Sequence, residues 1–498
     1  MHDPHLKNLA LLLDQHARSR PTHPAICWRD TTISYAAFAK TVRQYADSLA
    51  GDGVGRGSLV GIGLKDHPAH LAMLFAVMRL GAVIVPVDWR WSSQETASLA
   101  GHFRLDALVI EDDAPHVEGP TLIRAGADWQ GHAQELAGTM PAIEADELPM
   151  ILSLSSGTTG RPTGPLLSHA QMMARTENQL VTLTFSQHDR YLLATPLYFG
   201  GGRAFALTHL MIGATLVLFP PPYGPEELVA AINDHDAHST FLVPTLIRRL
   251  LELPEEKLLA LKNLRLLISS GAPLHSDERL AIEQRICPGF IEYFASTEGG
   301  GITVMAPSER VDRPHSVGRA AFRVDVEIVD AEHQSLSPGE IGAVRYRGPG
   351  VAEGFFRDDE TSREAFIDGW FYPGDLGTVD AEGYLTLMGR SKNLIIRGGV
   401  NIYPLEIERA LEAHPAVREA AVFSLPHPEM GEEVCATVVL REPIDDETIR
   451  AYCRTCLAPY KVPSQIDSCD ALPRNSGGKV LVNALRETAL ARRATAQS

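Results

Sequence analysis

The segment Ser153-Leu154-Ser155-Ser156-Gly157-Thr158-Thr159-Gly160-Arg161-Pro162-Thr163-Gly164 concentrates hydroxyls and glycines directly behind an apolar run. Glycines let successive backbone N–H groups turn toward an anion, and hydroxyls add further donors. Ser168-His169-Ala170-Gln171 then opens a helix with capping-box spacing. No Gly-Lys-Ser/Thr follows, so this is not the Walker arrangement. Composition alone leaves phosphate binding and a plain turn-rich loop equally open. Further along stand Thr297-Glu298, Asp375 inside a Pro-Gly-Asp-Leu-Gly turn, and Lys479 behind Gly477-Gly478. Carboxylates suit a hard cation or a pair of sugar hydroxyls. A lysine behind two flexible glycines suits a movable positive charge. Taken singly, each also reads as an ordinary solvated residue.

Alternating elements must position these residues. Tyr35, Phe38, Val42, Tyr45 and Leu49 recur at helical spacing. Leu59 to Gly63 reads as a strand, His70 to Leu80 as a helix and Val83 to Val87 as a strand. Ala107 to Ile110, Ile151 to Leu154, Leu216 to Phe219, Thr240 to Val243 and Leu266 to Ile268 are further strand candidates, mostly separated by helix patterns. This alternation predicts α/β sheets covered by helices. After about Val324, short strands and Gly-rich turns predict a small β-rich subdomain. From Ser391 a small α+β domain is expected, with helices at Pro404 to Ala413 and Glu447 to Leu457 and strands at Ala420 to Phe423 and Val434 to Leu440. The boundaries are therefore 1–390 for a large N-terminal domain and 391–498 for a small C-terminal one. The tail from Ala489 is expected to fray.

The 498 residues are 45% hydrophobic and 21% charged, which suits a globular chain of more than one unit. A net charge of -17 without a Lys/Arg block argues against nucleic acid. The six cysteines are scattered, which fits a reducing cytoplasm rather than a disulfide framework. Cys453 and Cys456 read as two small residues on one helix. The start lacks a signal-peptide pattern, and Leu71 to Val87, interrupted by Arg79 and Gly81, reads as a buried helix and strand rather than a membrane span.

Ser155 to Gly164 with Ser168-His169 resembles the signature of the adenylate-forming superfamily, in particular its acyl-CoA synthetases. Other motifs of that superfamily follow in order over nearly the whole chain. Thr195-Pro196-Leu197-Tyr198-Phe199-Gly200 resembles its acyl-pocket segment. Gly271-Ala272-Pro273 resembles its adenine-slot turn, and Phe294-Ala295-Ser296-Thr297-Glu298 its Tyr-Gly-x-Thr-Glu. Trp370 to Gly377 resembles the Thr-Gly-Asp segment, and Gly389-Arg390-Ser391-Lys392-Asn393 the interdomain junction. Gly398-Gly399 and the residues to Glu408 match the following loop and helix start. Leu472-Pro473-Arg474-Asn475-Ser476-Gly477-Gly478-Lys479 matches the C-terminal lysine motif. Three departures stand out: Thr163 where the family has lysine, Ala295 where it has glycine, and Pro373 where it has threonine.

The resemblance implies ATP-dependent formation of an acyl adenylate, then transfer to coenzyme A. Ser155, Ser156, Gly157, Thr158, Thr159 and Gly160 would hold phosphates, and Thr297 the α-phosphate. Glu298 would hold Mg²⁺, and Lys479 would bridge acid and phosphate. Gly271, Ala272, Pro273 and Phe294 would hold adenine, Asp375 the ribose, and Arg390 the ribose or a phosphate. Tyr198, Phe199, Gly200, Ala295, Ser296 and Gly299 would line the acyl pocket, with Gly299, Gly300 and Gly301 admitting a ligand or another segment. Lys392 would be a hinge for a mobile small domain, and Gly398 and Gly399 would help build the thiol tunnel. A ligase loading a separate carrier protein and a non-catalytic acyl- or nucleotide-binding relative are the alternatives. The expected partners are a small carboxylic acid, ATP and coenzyme A.

Overall fold

The structure is a computed structural model that describes residues 8–144, 148–154, 163–259, 261, 263–272, 274, 276–306, 309–310, 312–474 and 480–496. The apolar runs become the inner strands of two mostly parallel sheets. In one, Leu59–Gly63, Val83–Pro86, Ala107–Ile110, Thr121–Arg124 and Pro149–Leu152 run parallel, and Leu166–Ser168 pairs antiparallel. Every residue of Leu59–Gly63 is buried, as a strand covered on both faces requires. In the other, Pro24–Trp28, Thr215–Leu218, Arg190–Leu193, Ser239–Phe241, Leu266–Ser269 and Phe290–Ser296 run parallel. Helix Tyr35–Gly51 buries the five residues whose spacing predicts it. Helix Pro68–Arg79 is buried from His70 onward. Among the described residues no helix is long and apolar enough to cross a membrane.

The β-rich stretch does not form a sheet of its own. Phe290–Ser296 pairs antiparallel with Gly300–Met305, and the ladder continues through Gly318–Ala320, Tyr384–Arg390, Asp375–Val379 and Gly342–Arg347. One sheet thus runs from the parallel core to Asp375 and Arg390. Hydrogen-bond register fixes these strands against sliding, because a one-residue slip would reverse every side chain. The site residues at 294–298 and at 375 are positioned by that one ladder.

Beyond the 3₁₀ turn Ser391–Asn393 lies a five-stranded sheet of Ile395–Arg397, Val400–Ile402, Val417–His427, Gly431–Leu440 and Gln465–Ser468. Helices Pro404–Glu412 and Asp446–Cys456 bury Ile407, Leu411, Ile449 and Cys453 on one face. Helix Val482–Ala496 buries Leu485 and Ala489 on the other. The expected fraying from Ala489 is therefore corrected. Leu485 and Ala489 are four residues apart, share one helix face and reach the core. A large N-terminal and a small C-terminal domain each have their own core.

Glu408 carries a titratable cost in the small domain. Its Oε1 accepts the Val422 N–H at 2.8 Å. Burial pushes its pKa from 4.5 up to about 7, with Glu412 adding to the shift and the Val422 N–H and Arg409 opposing it. A carboxyl raised in the folded state stabilises least when ionised, so its cost grows as pH rises through that interval. Glu408→Gln should match the parent near about pH 4 and exceed it by on the order of 2 kcal/mol above about pH 8. Urea unfolding of the small domain at both pH values checks this; a pH-independent difference would contradict it.

Candidate active site

The base of the loop expected to bind phosphate is well defined. Strands Pro149–Leu152 and Leu166–Ser168 form its two limbs, and the Ser153 N–H donates to the Pro165 carbonyl at 3.1 Å. Ser155, Ser156, Gly157, Thr158, Thr159 and Gly160 lie outside the described residues, as do Pro273 and Lys479. Helix His169–Thr182 begins with the expected capping box. Ser168 Oγ accepts the Gln171 N–H, and Gln171 Oε1 accepts the Ser168 N–H. The free amide end of Gln171 donates to the Val351 carbonyl at 3.0 Å.

Thr297 and Glu298 sit at the tip of the turn joining Phe290–Ser296 to Gly300–Met305. Ser296 Oγ accepts the Gly299 N–H at 2.8 Å and lies 2.7 Å from the Tyr346 hydroxyl. From the facing helix, Arg175 Nη1 donates to the Thr297 carbonyl at 3.1 Å and Nη2 to the Glu298 carbonyl at 2.6 Å. Its Nε donates to the Gly350 carbonyl at 2.7 Å. Side chains at 299–301 would collide with this framework. A Cβ on Gly299 would stand 2.5 Å from the Tyr346 ring, on Gly300 3.1 Å from Arg175, and on Gly301 1.6 Å from the Tyr293 hydroxyl. The glycines admit another protein segment. Ser296 and Gly299, expected along an acyl pocket, are both members of this turn, where the Ser296 hydroxyl serves the turn and Tyr346 stands beside Gly299.

Asp375 and Arg390 meet across adjacent strands, with Arg390 Nε 2.8 Å from Asp375 Oδ1. Arg390 Nη1 also donates to the Pro373 carbonyl at 2.6 Å. The two residues expected to act separately therefore form a pair, in which the guanidinium orients a buried carboxylate. Burial raises the Tyr346 phenol far above its usual range, and the charges of Glu298 and Asp375 push it the same way. Phe294 is half-buried and packs on Ile302, Tyr346, Ile328 and Val344. Gly271 is exposed, and nothing lies within 4 Å of where its Cβ would be, so this turn is open, while Ala272 is half-buried.

The acyl segment is pinned on both sides. Asp66 Oδ1 accepts the Leu197 N–H at 2.7 Å, while Arg203 Nη1 donates to the Leu197 and Tyr198 carbonyls at 3.1 and 3.0 Å. Burial raises the Asp66 carboxyl to about 6 and lowers the Arg203 guanidinium to about 10. Arg90 chelates Asp88 and donates to the Tyr198 hydroxyl at 2.5 Å. Phe199 caps helix Gly200–Ile212. Gly200 borders open space, whereas Gly201 lies against the Phe241 and Phe199 rings. Ala295 is half-buried on the main core. Sequence reasoning misses Arg175, Arg203, Asp66 and Arg90. A lone arginine in the apolar run Gly200–Ile212 is the signal that could mark Arg203; Arg175 carries no such signal.

Lys392 is exposed in the 3₁₀ turn Ser391–Asn393. Gly398 and Gly399 have φ of +58° and +82° and join Ile395–Arg397 to Val400–Ile402. Positive φ at both central residues is what a two-residue type I′ hairpin requires. That hairpin tip is the loop expected beside the thiol.

The family model of AMP-binding enzymes matches residues 13–356, and that of the AMP-binding enzyme C-terminal domain matches residues 406–479. The chain belongs to the AMP-binding enzymes. Among similar members is a feruloyl-CoA synthase of Amycolatopsis sp, 32% identical over 484 residues, covering 95% of this chain and 97% of the relative. Two solved structures also match at full length. ATP-bound MatB from Rhodopseudomonas palustris aligns with TM-score 0.88 and 29% identity, covering 97% of this chain and 99% of that one. The o-succinylbenzoate CoA synthetase of Bacillus subtilis with its acyl-adenylate intermediate aligns at 0.83 and 26%, covering 95% and 97%. In this AMP-binding enzyme the two family matches fall on the two domains seen in the fold.

Proposed function

We propose that this AMP-binding enzyme is an AMP-forming carboxylic acid:CoA ligase. The observation that carries the reading is the single strand ladder that holds both the Thr297–Glu298 turn, whose carbonyls Arg175 grips, and the Asp375–Arg390 pair. Its relatives support it: one is a CoA synthase, one binds ATP, and one holds an acyl adenylate.

In the first step a carboxylate oxygen of the acid attacks the α-phosphorus of ATP, and pyrophosphate leaves with the electrons of the broken P–O bond. The attacking acid is already ionised at neutral pH, so no general base is needed. The obstacle is the approach of two anions, which positioned opposite charge offsets. Ser155, Ser156, Gly157, Thr158, Thr159 and Gly160 would cradle the phosphates. Thr297 would donate to the α-phosphate, and Lys479 would sit between it and the acid. Gly271, Ala272, Pro273 and Phe294 would hold adenine. Asp375, oriented by Arg390, would hold the ribose. Tyr198, Phe199, Gly200 and Ala295 would bound the acyl group.

Glu298 fits a Mg²⁺ ion. Its half-buried carboxylate makes no ion pair or hydrogen bond with any described residue, and a carboxylate beside phosphates is the usual magnesium arrangement. Bound there, the ion would neutralise phosphate charge. Among the described residues no group of three His, Cys, Asp or Glu side chains that could hold a metal exists.

In the second step the thiolate of coenzyme A attacks the acyl carbon, and AMP leaves. Rotation about Lys392 would withdraw Lys479 and bring in Gly398 and Gly399. It would have to break the Arg409 Nη2 donation to the Leu387 carbonyl, 3.1 Å across the domain boundary. All six cysteines are unpaired, which suits a cytoplasmic enzyme. Incubation with ATP, an acid and either coenzyme A or carrier proteins tests the acceptor. Thioester on coenzyme A is expected; thioester only on a carrier would overturn that half of the reading.

Thr163 stands where the resemblance places a lysine. Thr163→Lys should lower the KM for ATP about 5-fold, the worth of roughly 1 kcal/mol for a part-exposed charge pair, and leave the KM for the acid unchanged. Steady-state kinetics in both substrates checks this; an unmoved KM for ATP would mean that Arg161 or another group already fills that role, or that a loop cation has no part here.

A further inference from the structure

Arg175 lies on helix His169–Thr182, directly after the loop expected to bind phosphate. Its side chain bonds no neighbour on that helix. Instead the guanidinium donates to three carbonyls distant in sequence, those of Thr297, Glu298 and Gly350. The Glu298 carbonyl also accepts the Ala352 N–H at 2.9 Å. The peptide planes on both sides of the Glu298 Cα are therefore gripped, which fixes where its side chain leaves the backbone. Two glycines make room for the grip. A Cβ on Gly300 would stand 3.1 Å from Arg175 Cγ, Cδ and Nε, and one on Gly350 2.9 Å from Cγ.

Among the described residues no carboxylate forms an ion pair with Arg175. Its three hydrogen bonds all go to backbone carbonyls. A half-buried cation without an ion-pair partner is costly to keep for packing alone. Its charge lies behind Thr297 and Glu298, in a chain that carries Thr163 where the resemblance places a lysine.

We infer that Arg175 is the positioning residue for Thr297 and Glu298, and that its fork sets the affinity of the site for magnesium nucleotide. The inference rests on the ligase reading above. Arg203 supplies the comparison: it grips the Leu197 and Tyr198 carbonyls at the acyl segment in the same manner. A half-buried and a buried arginine thus hold two halves of one site.

The test measures MgATP binding by calorimetry, and the KM for MgATP and for acid by kinetics, in Arg175→Met, Arg175→Lys and Arg203→Met. Arg175→Met should weaken MgATP binding about 10- to 100-fold, the scale of losing charge-assisted hydrogen bonds. It should raise the magnesium concentration for half-maximal rate and move the KM for acid less than about 3-fold. Arg175→Lys keeps the charge without the fork and should recover only part of the affinity. Arg203→Met should show the opposite split, a raised KM for acid with MgATP binding unchanged. Equal MgATP affinity in the parent and Arg175→Met would overturn the inference, as would equal loss in Arg175→Met and Arg203→Met. Should Arg175→Met not fold, full parental affinity in Arg175→Lys overturns it alone. A parent chain that binds no MgATP would instead overturn the ligase reading on which the inference stands.

Discussion

Lys479→Ala should slow adenylation about 10²- to 10³-fold, the usual loss when one transition-state charge partner is removed. Transfer from a pre-made acyl adenylate to coenzyme A should change much less. The asymmetry follows from the charge balance. In the first step two anions approach, and a cation between them is worth several times more in a site from which water is excluded than in bulk solvent. In the second step the phosphate is a leaving group and the nucleophile comes from another direction. Lys479 lies outside the described residues, but the base of its loop is described. Arg474 and Val480 form an antiparallel bridge, and the Leu481 N–H donates to the Pro473 carbonyl at 2.8 Å. Arg474 is tied to Glu419 at 2.6 Å. The loop is thus anchored to the small sheet at its neck, and movement of that domain carries the lysine with it. Pyrophosphate exchange for the first step and thioester formation from synthetic acyl adenylate for the second separate the two effects. Equal losses would show that Lys479 has another role.

Gly301→Ala should be the most damaging single-methyl change at the site. The added Cβ would stand 1.6 Å from the Tyr293 hydroxyl and 2.1 Å from ring carbon Cζ. Tyr293 cannot easily retreat. It is buried in the main core, and its hydroxyl donates to Asn178 Oδ1 at 3.0 Å. Displacing it breaks that bond and shifts the strand opposite Ala295, one residue from the Thr297 turn. Overpacking of this kind costs about 3 kcal/mol or more, and adenylation should fall with it. Gly200→Ala is the contrast. Its Cβ would meet nothing within 4 Å, so the fold should be unaffected. Thermal unfolding of the pair checks the claim, and equal melting temperatures would contradict it.

Much of this molecule can be read from its residues because glycine-rich loops and apolar runs are local signals. Leu59 to Gly63 reads as a strand and is one; the capping box at Ser168 and Gln171 forms as spaced. The turn at Gly398-Gly399 is equally local. The grip of Arg175 is not. Its acceptors lie 122, 123 and 175 residues away and are backbone carbonyls, which every residue type carries. The Asp375–Arg390 pair depends on a strand register that contains a bulge between Leu376 and Gly377, and nothing in the motif announces it. The merging of the β-rich stretch into the parallel sheet is likewise set by strand pairing over long distances. At the C-terminus, charged residues disguise a helix face on which Leu485 and Ala489 are buried and Val482 packs beside them.

The measurement that bears most directly on the central claim is exchange of labelled pyrophosphate into ATP over a panel of carboxylic acids. Acid-dependent, magnesium-dependent exchange is predicted for at least one acid, with AMP and an acyl-CoA thioester formed once coenzyme A is added. A folded chain that exchanges no pyrophosphate with any acid, or that releases ADP and phosphate instead, would contradict the account.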